Sequence, residues 1–284
     1  MVQSTDFGQF ETAWCPGCGN HMILKAVKDA LAGLDRRPQD VCFASGIGQA
    51  AKAPHYLLCN MFNGLHGRAL PVGTGIKLAN PGLDVIVESG DGCMYGEGGN
   101  HFLAAVRRNI NLTLLVHNNQ IYGLTKGQAS PTTAAGQITK AQPHGAFSAP
   151  FAPLSVALSL GAGFVARGFS GLTDHLRSLI QAAVLHPGLA LVDILQPCVS
   201  FNKVNTHSWY KERCTQIDAD HDPADWEAAM RLSREWGERI PIGVLYQNTA
   251  RVPFENNFRQ LDSGSLLEQG RSTQTLESIM LSWA

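Results

Sequence analysis

The sequence predicts an α/β protein with a mostly parallel sheet and helices on both faces. Two observations predict it: short apolar runs alternate with amphipathic helical segments, and glycine-rich or polar residues follow the runs directly. Parallel strands are buried on both faces, so they read as near-continuous apolar runs. Their alternation with helices indicates βαβ units. The apolar content of 44% is ordinary for a globular protein and excludes a disordered chain.

Strands are predicted at five apolar runs, residues 40–45, 84–88, 112–116, 164–168 and 189–195. Helices are predicted near residues 21–34, 102–110, 155–160 and 174–185. In the first helix, apolar residues recur every three or four positions and therefore share one face. These elements place one α/β domain over residues 1–205.

Residues 206–284 are predicted to form a helical extension and an arm. A helix is expected over residues 222–238, with Asp222 as its cap, Pro223 at its first position and Asp225 as the second half of a capping box. Residues 255–284 are polar with few apolar anchors. They are predicted to be an arm over a neighbour or a partly disordered tail.

Charge and hydropathy exclude several classes of function. The 22 Lys and Arg against 23 Asp and Glu give a net charge of −1, so there is no electrostatic case for nucleic acid or an anionic membrane as partner. No apolar stretch reaches the roughly 18 residues of a membrane span, and the first residues lack an export signal. We therefore expect a cytoplasmic protein. Its seven cysteines are then expected to stay thiols, bind metal or react.

Polar residues follow two consecutive predicted strands. Gly-Asp-Gly at 90–92 comes directly after one strand, and Asn118 and Asn119 follow the next, twenty-five residues later. Ligands of open α/β sheets bind at the carboxyl ends of strands, and carboxylate and amide oxygens suit Mg²⁺. The glycine-rich residues 95–99 offer backbone N–H groups to a diphosphate. Each motif alone is usually a turn or a strand end, but together they predict a metal–diphosphate site.

This combination resembles the thiamine-diphosphate signature, and further segments resemble the β subunit of 2-oxoacid:ferredoxin oxidoreductases. They are WCPGCGN (14–20), SGIG (45–48), GLHGRALPVGTGIKLANP (64–81), NNQIYGLTKGQASPT (118–132) and QPCVSFN (196–202). The similarity runs from residue 14 to about 205 and continues more loosely through residues 220–230. It implies a thiamine-diphosphate-binding fold of the diphosphate type.

The resemblance implies a set of site residues. Asp91, Asn119 and the carbonyl of Ile121 would hold Mg²⁺. The residues expected to line the cofactor are Ile47, Gly48, Gln49, His66, Gly92, Cys93, Gly123 and Leu124. A lone histidine is more often structural, but in this setting His66 is expected to hydrogen-bond the diphosphate or the reacting substrate.

The resemblance implies a 4Fe–4S cluster, whose usual ligands are four cysteine thiolates. Cys15 and Cys18 share a Pro/Gly turn, and Cys198 follows the last predicted strand of the domain. The family pattern places another ligand just after Ser-Gly-Ile-Gly, where this chain has Gln49. The nearest downstream cysteine, Cys59, is therefore expected to be the fourth ligand. A structural zinc site suits four cysteines equally well, and the resemblance favours iron.

The resemblance also implies partners and a reaction. One α/β domain leaves no room for the family's pyrimidine-binding domain, so an α subunit is expected to carry it. Ferredoxin, coenzyme A and a 2-oxoacid complete the expected partners. The implied reaction is oxidative decarboxylation to acyl-CoA and CO₂, with electrons passing through the cluster to ferredoxin. A pyruvate-preferring member, a non-oxidative decarboxylase or synthase, and a non-catalytic metal-binding subunit remain alternatives.

The position of Lys126 predicts that the preferred substrate is 2-oxoglutarate. This residue lies in the loop after the expected metal-binding asparagine, where a side chain can reach the space that a 2-oxoacid must occupy. The segment resembles members that accept 2-oxoglutarate, whose second carboxylate would pair with a lysine. Lysine in an exposed loop is also commonly just solvated. We expect His66 and Lys126 to be the residues that act on the substrate.

Overall fold

The computed structural model describes residues 1–262, 264–270 and 273–283. Its strands are β1 (Val41–Ser45), β2 (Asn60–Asn63), β3 (Asp84–Gly90), β4 (Thr113–Asn118), β5 (Ile121–Tyr122), β6 (Gln128–Ala129), β7 (Phe164–Phe169), β8 (Ala190–Leu195), β9 (Cys214–Gln216) and β10 (Ile240–Gln247). Its α-helices are α1 (Asn20–Gly33), α2 (Ala69–Ala79), α3 (Gly99–Arg108), α4 (Pro153–Ser159), α5 (Thr173–Leu185), α6 (His207–Arg213), α7 (Trp226–Arg234) and α8 (Thr273–Leu281).

Eight strands form one sheet in the order β2-β1-β3-β4-β8-β7-β10-β9. Neighbours pair in parallel except β7 and β10, which are antiparallel. Side chains of successive residues in a strand point to opposite faces. In β3, Ile86 enters the core that α1 and α5 cover, whereas Val85 and Val87 enter the core that α2, α3, α4 and α7 cover. The predicted mostly parallel sheet with helices on both faces is confirmed.

The predicted division at residue 205 does not separate a helical extension from the sheet. Two strands of the C-terminal region, β9 and β10, belong to the main sheet. Strand β10 pairs with β7 through residues such as Val244 opposite Ala166. Residues 240–247 contain proline and glycine, which weaken a strand, so their pairing depends on the edge that β7 leaves open.

Helix α7 begins later than the sequence predicts. Asp225, not Asp222, is its N-cap and accepts a hydrogen bond from the Ala228 backbone N–H at 2.9 Å. The Asp222 carboxylate instead accepts from the Ala224 N–H within the preceding turn. Either aspartate could cap the helix. Asp222 does not, because its carboxylate accepts the Ala224 N–H in the turn before the helix.

Part of the predicted arm packs against its own domain. Glu255 is buried and accepts a hydrogen bond from the Asn111 N–H. The Leu266 N–H donates to the Ala79 carbonyl at the end of α2. This segment therefore covers the chain's own helices, while residues 263, 271, 272 and 284 of the predicted tail lie outside the described residues. Within the described ranges, no helix is long and apolar enough to cross a membrane.

Candidate active site

The carboxyl ends of three neighbouring strands carry the candidate site. The parallel register of β3 with β4 places Gly90 beside His117, and that of β4 with β8 places Asn118 beside Leu195. The residues that follow these strands therefore emerge at one edge of the sheet. This is the edge at which open α/β sheets bind ligands.

One depression at this edge brings the predicted cofactor and magnesium residues together. It is lined by Ile47, Gly48, Gln49, His66, Asp91, Gly92, Cys93, Asn119, Ile121, Gly123 and Leu124, together with Ala50, Gly90, Tyr122 and Thr125. Every predicted cofactor-lining residue and all three predicted magnesium residues are in this set. They come from separate loops, which only the tertiary fold places side by side.

Asp91 is almost fully buried in the wall of this depression, with 1% of its surface exposed. The hydroxyls of Ser130 and Thr132 donate to its Oδ2 at 2.6 and 2.5 Å. Burial raises the pKa of Asp91 to about 6, the two hydroxyls oppose this, and the charge of Asp193 adds to it. A nearby cation would favour the charged form, so this carboxylate suits a metal. No local pattern in the sequence signals the two hydroxyl partners.

Both the oxygen and the nitrogen of the Asn119 side-chain amide are hydrogen-bonded. Its Oδ1 accepts from the Ile121 N–H at 3.0 Å, and its Nδ2 donates to Gln196 Oε1 at 3.1 Å. Between them, Gln120 adopts a left-handed backbone with φ of 59°. A non-glycine residue in this region is strained, and such strain clusters at functional sites. The turn orients the asparagine and the Ile121 backbone as a unit.

Cys93 ties two loops of the depression together. Its Sγ accepts hydrogen bonds from the N–H groups of Ile47 and Gly67. Gly67 has φ of 66°, and a Cβ there would lie 2.5 Å from the Glu97 backbone. The loop that carries His66 is therefore pressed against the π-helical turn Gly92–Glu97. His66 itself is exposed and lines the depression.

Three predicted cluster cysteines line a second depression next to the first. Cys15, Cys18 and Cys198 surround it. Burial raises the pKa of Cys18 to about 11, and the charges of Cys198 and Cys15 raise it further. Closely spaced thiolates need a cationic partner, so this donor set fits a metal or an iron–sulfur cluster. Gln49 lines both depressions and marks their boundary.

The structure does not support Cys59 as the fourth ligand. Cys59 directly precedes β2, whose parallel register with β1 places Asn60 beside Cys42. It therefore lies at the amino end of these strands, roughly 13 Å along a four-residue strand from the carboxyl edge. Burial raises the pKa of Cys59 to about 12, and the ionisable groups that contribute to this rise are Cys42 and Glu88, not the other three cysteines.

Lys126 lies beside the cofactor depression, not in its lining. It is exposed, has a left-handed φ of 77°, and lines a separate cavity with Thr125, Gln128 and Lys140. A left-handed backbone is strained for a lysine, and such strain clusters at functional sites. The role of Lys126 toward a substrate stays a prediction.

A larger cavity that the sequence did not reveal is lined by Asn118, Thr132 and Asp193 among others. Asn118 faces it and donates to Asp193 at 3.0 Å, while the Tyr95 hydroxyl donates to the other oxygen of Asp193. Arg167 also lines this cavity. The first asparagine of the Asn-Asn pair therefore supports the sheet interior, and only Asn119 lines the cofactor depression.

Comparison with known families agrees with this geometry. Residues 43–194 match the family described as thiamine pyrophosphate enzyme, C-terminal TPP binding domain, and residues 198–263 match the C-terminal region of the pyruvate ferredoxin oxidoreductase beta subunit. The chain is 43% identical over 258 residues to 2-oxoacid:ferredoxin oxidoreductase 1, subunit beta, of Aeropyrum pernix, covering 87% of this chain and 81% of that protein.

Two further similarities point to the same enzymes. The chain is 45% identical over 202 residues to 2-oxoglutarate oxidoreductase subunit KorB of Mycobacterium tuberculosis, covering 71% of this chain and 54% of that protein. The structure of 2-oxoglutarate:ferredoxin oxidoreductase from Magnetococcus marinus, with 2-oxoglutarate, coenzyme A and succinyl-CoA bound, superposes with a TM-score of 0.90. The two are 36% identical, with 98% of this chain and 96% of that chain covered. With its thiamine-diphosphate-type domain and strand-tip site, the chain belongs to the β subunits of the 2-oxoacid:ferredoxin oxidoreductases.

Proposed function

We propose that this subunit holds Mg²⁺–thiamine diphosphate and a 4Fe–4S cluster in a complex that converts 2-oxoglutarate and coenzyme A to succinyl-CoA and CO₂. One observation carries the proposal. The residues predicted for the cofactor and its metal line one depression, and three of the predicted cluster cysteines line the depression next to it. The cofactor and an electron acceptor would thus be neighbours within one chain.

Magnesium would be held by the Asp91 carboxylate, the Asn119 side-chain oxygen and the Ile121 carbonyl. This set consists of oxygen donors, which Mg²⁺ prefers while it keeps positions for phosphate oxygens. The buried Asp91 lacks a nearby cation among the described residues, as its raised pKa reflects. A bound Mg²⁺ would supply that charge and neutralise the diphosphate.

Thiamine diphosphate, when bound, supplies the carbanion that cleaves the bond between the carbonyl and carboxylate carbons of a 2-oxoacid. This chain's contribution is to bind, orient and stabilise charge. The His66 loop and the turn Gly92–Glu97 pack against each other beside the depression and would flank the diphosphate. His66 at the rim would donate to a phosphate or substrate oxygen.

The position of the cysteines favours an oxidative reaction over a non-oxidative one. A decarboxylase or synthase needs no electron acceptor beside the cofactor. Asn119, Gly123 and Gln49 line both depressions, so only one layer of residues separates them. Cys15, Cys18 and Cys198 would hold a cluster beside the cofactor, where it would supply the electron acceptor and the route to ferredoxin.

An α subunit would cover the open side of the cofactor depression. Large apolar side chains are exposed around its mouth, including Leu65 at 72% and Leu124 at 41%, and on the neighbouring edge strand Phe62 at 51%. Contiguous exposed apolar surface marks interaction sites. The covering partner would bring the pyrimidine-binding domain.

The 2-oxoglutarate preference rests on Lys126 and on its neighbour Lys140, which line one cavity beside the cofactor depression. Two ammonium groups at this position favour an anionic substrate tail. The KorB relative and the superposed structure are also named for 2-oxoglutarate. Pyruvate has no second carboxylate to use this charge.

The test is to co-express this chain with its α subunit and purify the complex without oxygen. We expect bound thiamine diphosphate, magnesium and iron, with 2-oxoglutarate oxidation that requires coenzyme A and reduces ferredoxin. Faster turnover of pyruvate would reject the substrate assignment. An iron-free complex that releases CO₂ without coenzyme A would instead be a non-oxidative thiamine enzyme.

A further inference from the structure

We propose that the iron–sulfur site of this subunit has three cysteine ligands and the side-chain oxygen of Gln49 at its fourth corner. The inference rests on the proposed function, because it requires a cluster between Cys15, Cys18 and Cys198. It concerns the residue that completes the site, for which the structure rejects Cys59. One iron ion of such a cluster would differ from the other three, because it would bind an amide oxygen instead of a thiolate.

Gln49 is fixed at the depression that the three cysteines line. The indole N–H of Trp14 donates to the Gln49 carbonyl at 2.8 Å. Trp14 is 6% exposed and directly precedes Cys15 in the chain. This bond therefore holds the Gln49 backbone against the segment that supplies the first two thiolates.

The side-chain oxygen of Gln49 lacks a hydrogen-bond partner within the described part of the chain, although it is buried. Buried amide oxygens are normally satisfied, because leaving an acceptor unpaired in the interior is unfavourable. An iron ion at the fourth corner would satisfy it. Iron–sulfur clusters accept a neutral ligand in place of a thiolate, as the histidine-ligated two-iron centres show.

The other four cysteines are committed elsewhere in the described structure. Cys42 is buried within β1, and Cys59 lies at the amino end of β2. Cys93 lines the cofactor depression, where two backbone N–H groups bond its sulfur. Cys214 begins β9 at the far edge of the sheet. None of them lines the depression of the three cluster cysteines.

The ligand set has an electronic consequence. Replacing one thiolate by a neutral amide removes one negative charge, and net charge is one of the factors that set a cluster's reduction potential. The native cluster is thus easier to reduce than a four-thiolate one at the same place. Gln49 also lines the cofactor depression, so the proposed amide ligand would lie between the two sites.

Mössbauer spectroscopy and redox titration of the anaerobically purified α–β complex test the ligand set directly. The wild type should show one iron distinct from the other three. Gln49→Cys should make the irons alike and shift the midpoint potential to more negative values. Gln49→Ala should convert the cluster to a three-iron form, visible by EPR. Cys59→Ser, as the matched control, should leave the iron content, spectrum and potential unchanged.

Two results would overturn the inference while leaving the proposed function intact. One is an unchanged spectrum and potential in Gln49→Ala, and the other is loss of the distinct iron in Cys59→Ser. A wild-type complex without iron, or with zinc at the three cysteines, would reject both the inference and the proposed cluster. Size-exclusion chromatography of each variant confirms that the complex has assembled.

Discussion

The Thr132 hydroxyl donates to Asp91 Oδ2 at 2.5 Å, across 41 residues of chain. Together with Ser130 it orients this buried carboxylate by donating to one of its two oxygens. Charge-assisted hydrogen bonds of this kind are short and strong. The bond links the strand that ends at Asp91 to the loop after β6, and so holds the predicted metal ligand on a second element.

Thr132→Val should weaken binding of Mg²⁺–thiamine diphosphate by roughly ten- to a hundred-fold, because a bond to a charged group contributes about 1.5–3 kcal/mol. Asp91→Ala should abolish retention of the cofactor, since the diphosphate would face no compensating charge. Cofactor content of the purified complex and calorimetric titration with the magnesium salt measure both. Wild-type retention in Asp91→Ala would remove this residue from the site.

Cys15→Ser, Cys18→Ser and Cys198→Ser should each lose iron and the brown colour. Each removes a thiolate from a depression that holds only three of them. Cys214→Ser is the matched control, because Cys214 lies at the other end of the sheet in β9. Iron analysis and absorption spectra report the outcome. Full iron content in Cys198→Ser would place the cluster elsewhere.

Lys126→Ala should lower kcat/KM for 2-oxoglutarate by roughly ten- to a hundred-fold and affect 2-oxobutyrate much less, because only the first substrate has a second carboxylate. The exposed Lys211 of α6 provides the control variant Lys211→Ala. Steady-state kinetics with both substrates measure the ratio. Equal losses on the two substrates would assign Lys126 to the shared carboxylate or to the conformation of its loop.

Gly67→Ala should disrupt the cofactor depression. The added Cβ would meet the Glu97 backbone at 2.5 Å, and φ of 66° is unfavourable for alanine. The displaced loop carries the N–H that bonds Cys93, so thiamine diphosphate should bind at least ten-fold more weakly. Gly75→Ala in α2 is the control, since a Cβ there meets nothing within 4 Å. Unchanged cofactor affinity in Gly67→Ala would show that the loop can move without loss.

His186 should make stability depend on pH. Its ring is 2% exposed with no partner for either nitrogen among the described residues, and burial lowers its pKa from 6.5 to about 4. Between these values the unfolded chain binds a proton that the folded protein does not. The contribution of His186 to the free energy of unfolding is therefore fully present above pH 6.5. It decreases by up to about 3 kcal/mol as the pH falls toward 4.

The His186→Leu variant isolates this contribution. As the pH falls from about 7.5 to about 5.5, the thermal unfolding midpoint of the wild type should decrease more than that of the variant. Differential scanning fluorimetry of the complex measures it. A difference that stays constant over this range would mean that His186 takes up its proton without unfolding.

Local sequence patterns determined the sheet of this protein and the residues that meet at its carboxyl edge. Apolar runs identify buried parallel strands by themselves, and parallel strands place their carboxyl ends together. Asp91 and Asn119, which are separated by 27 residues, could therefore be placed at one edge of the sheet because they follow consecutive strands. The capping aspartates of α7 show the limit, because Asp222 and Asp225 compete locally and a turn decided between them.

Only the tertiary structure decided that Cys59 does not join the other three cysteines. Cys59 is ten residues from Gln49 in sequence, but β2 runs parallel to β1 and keeps Cys59 at the opposite end of the strand. Strand β10 likewise needed the free edge of β7 before residues 240–247 could pair. Register and edge pairing are set by contacts between distant segments, whereas strand identity is set by the residues within the strand.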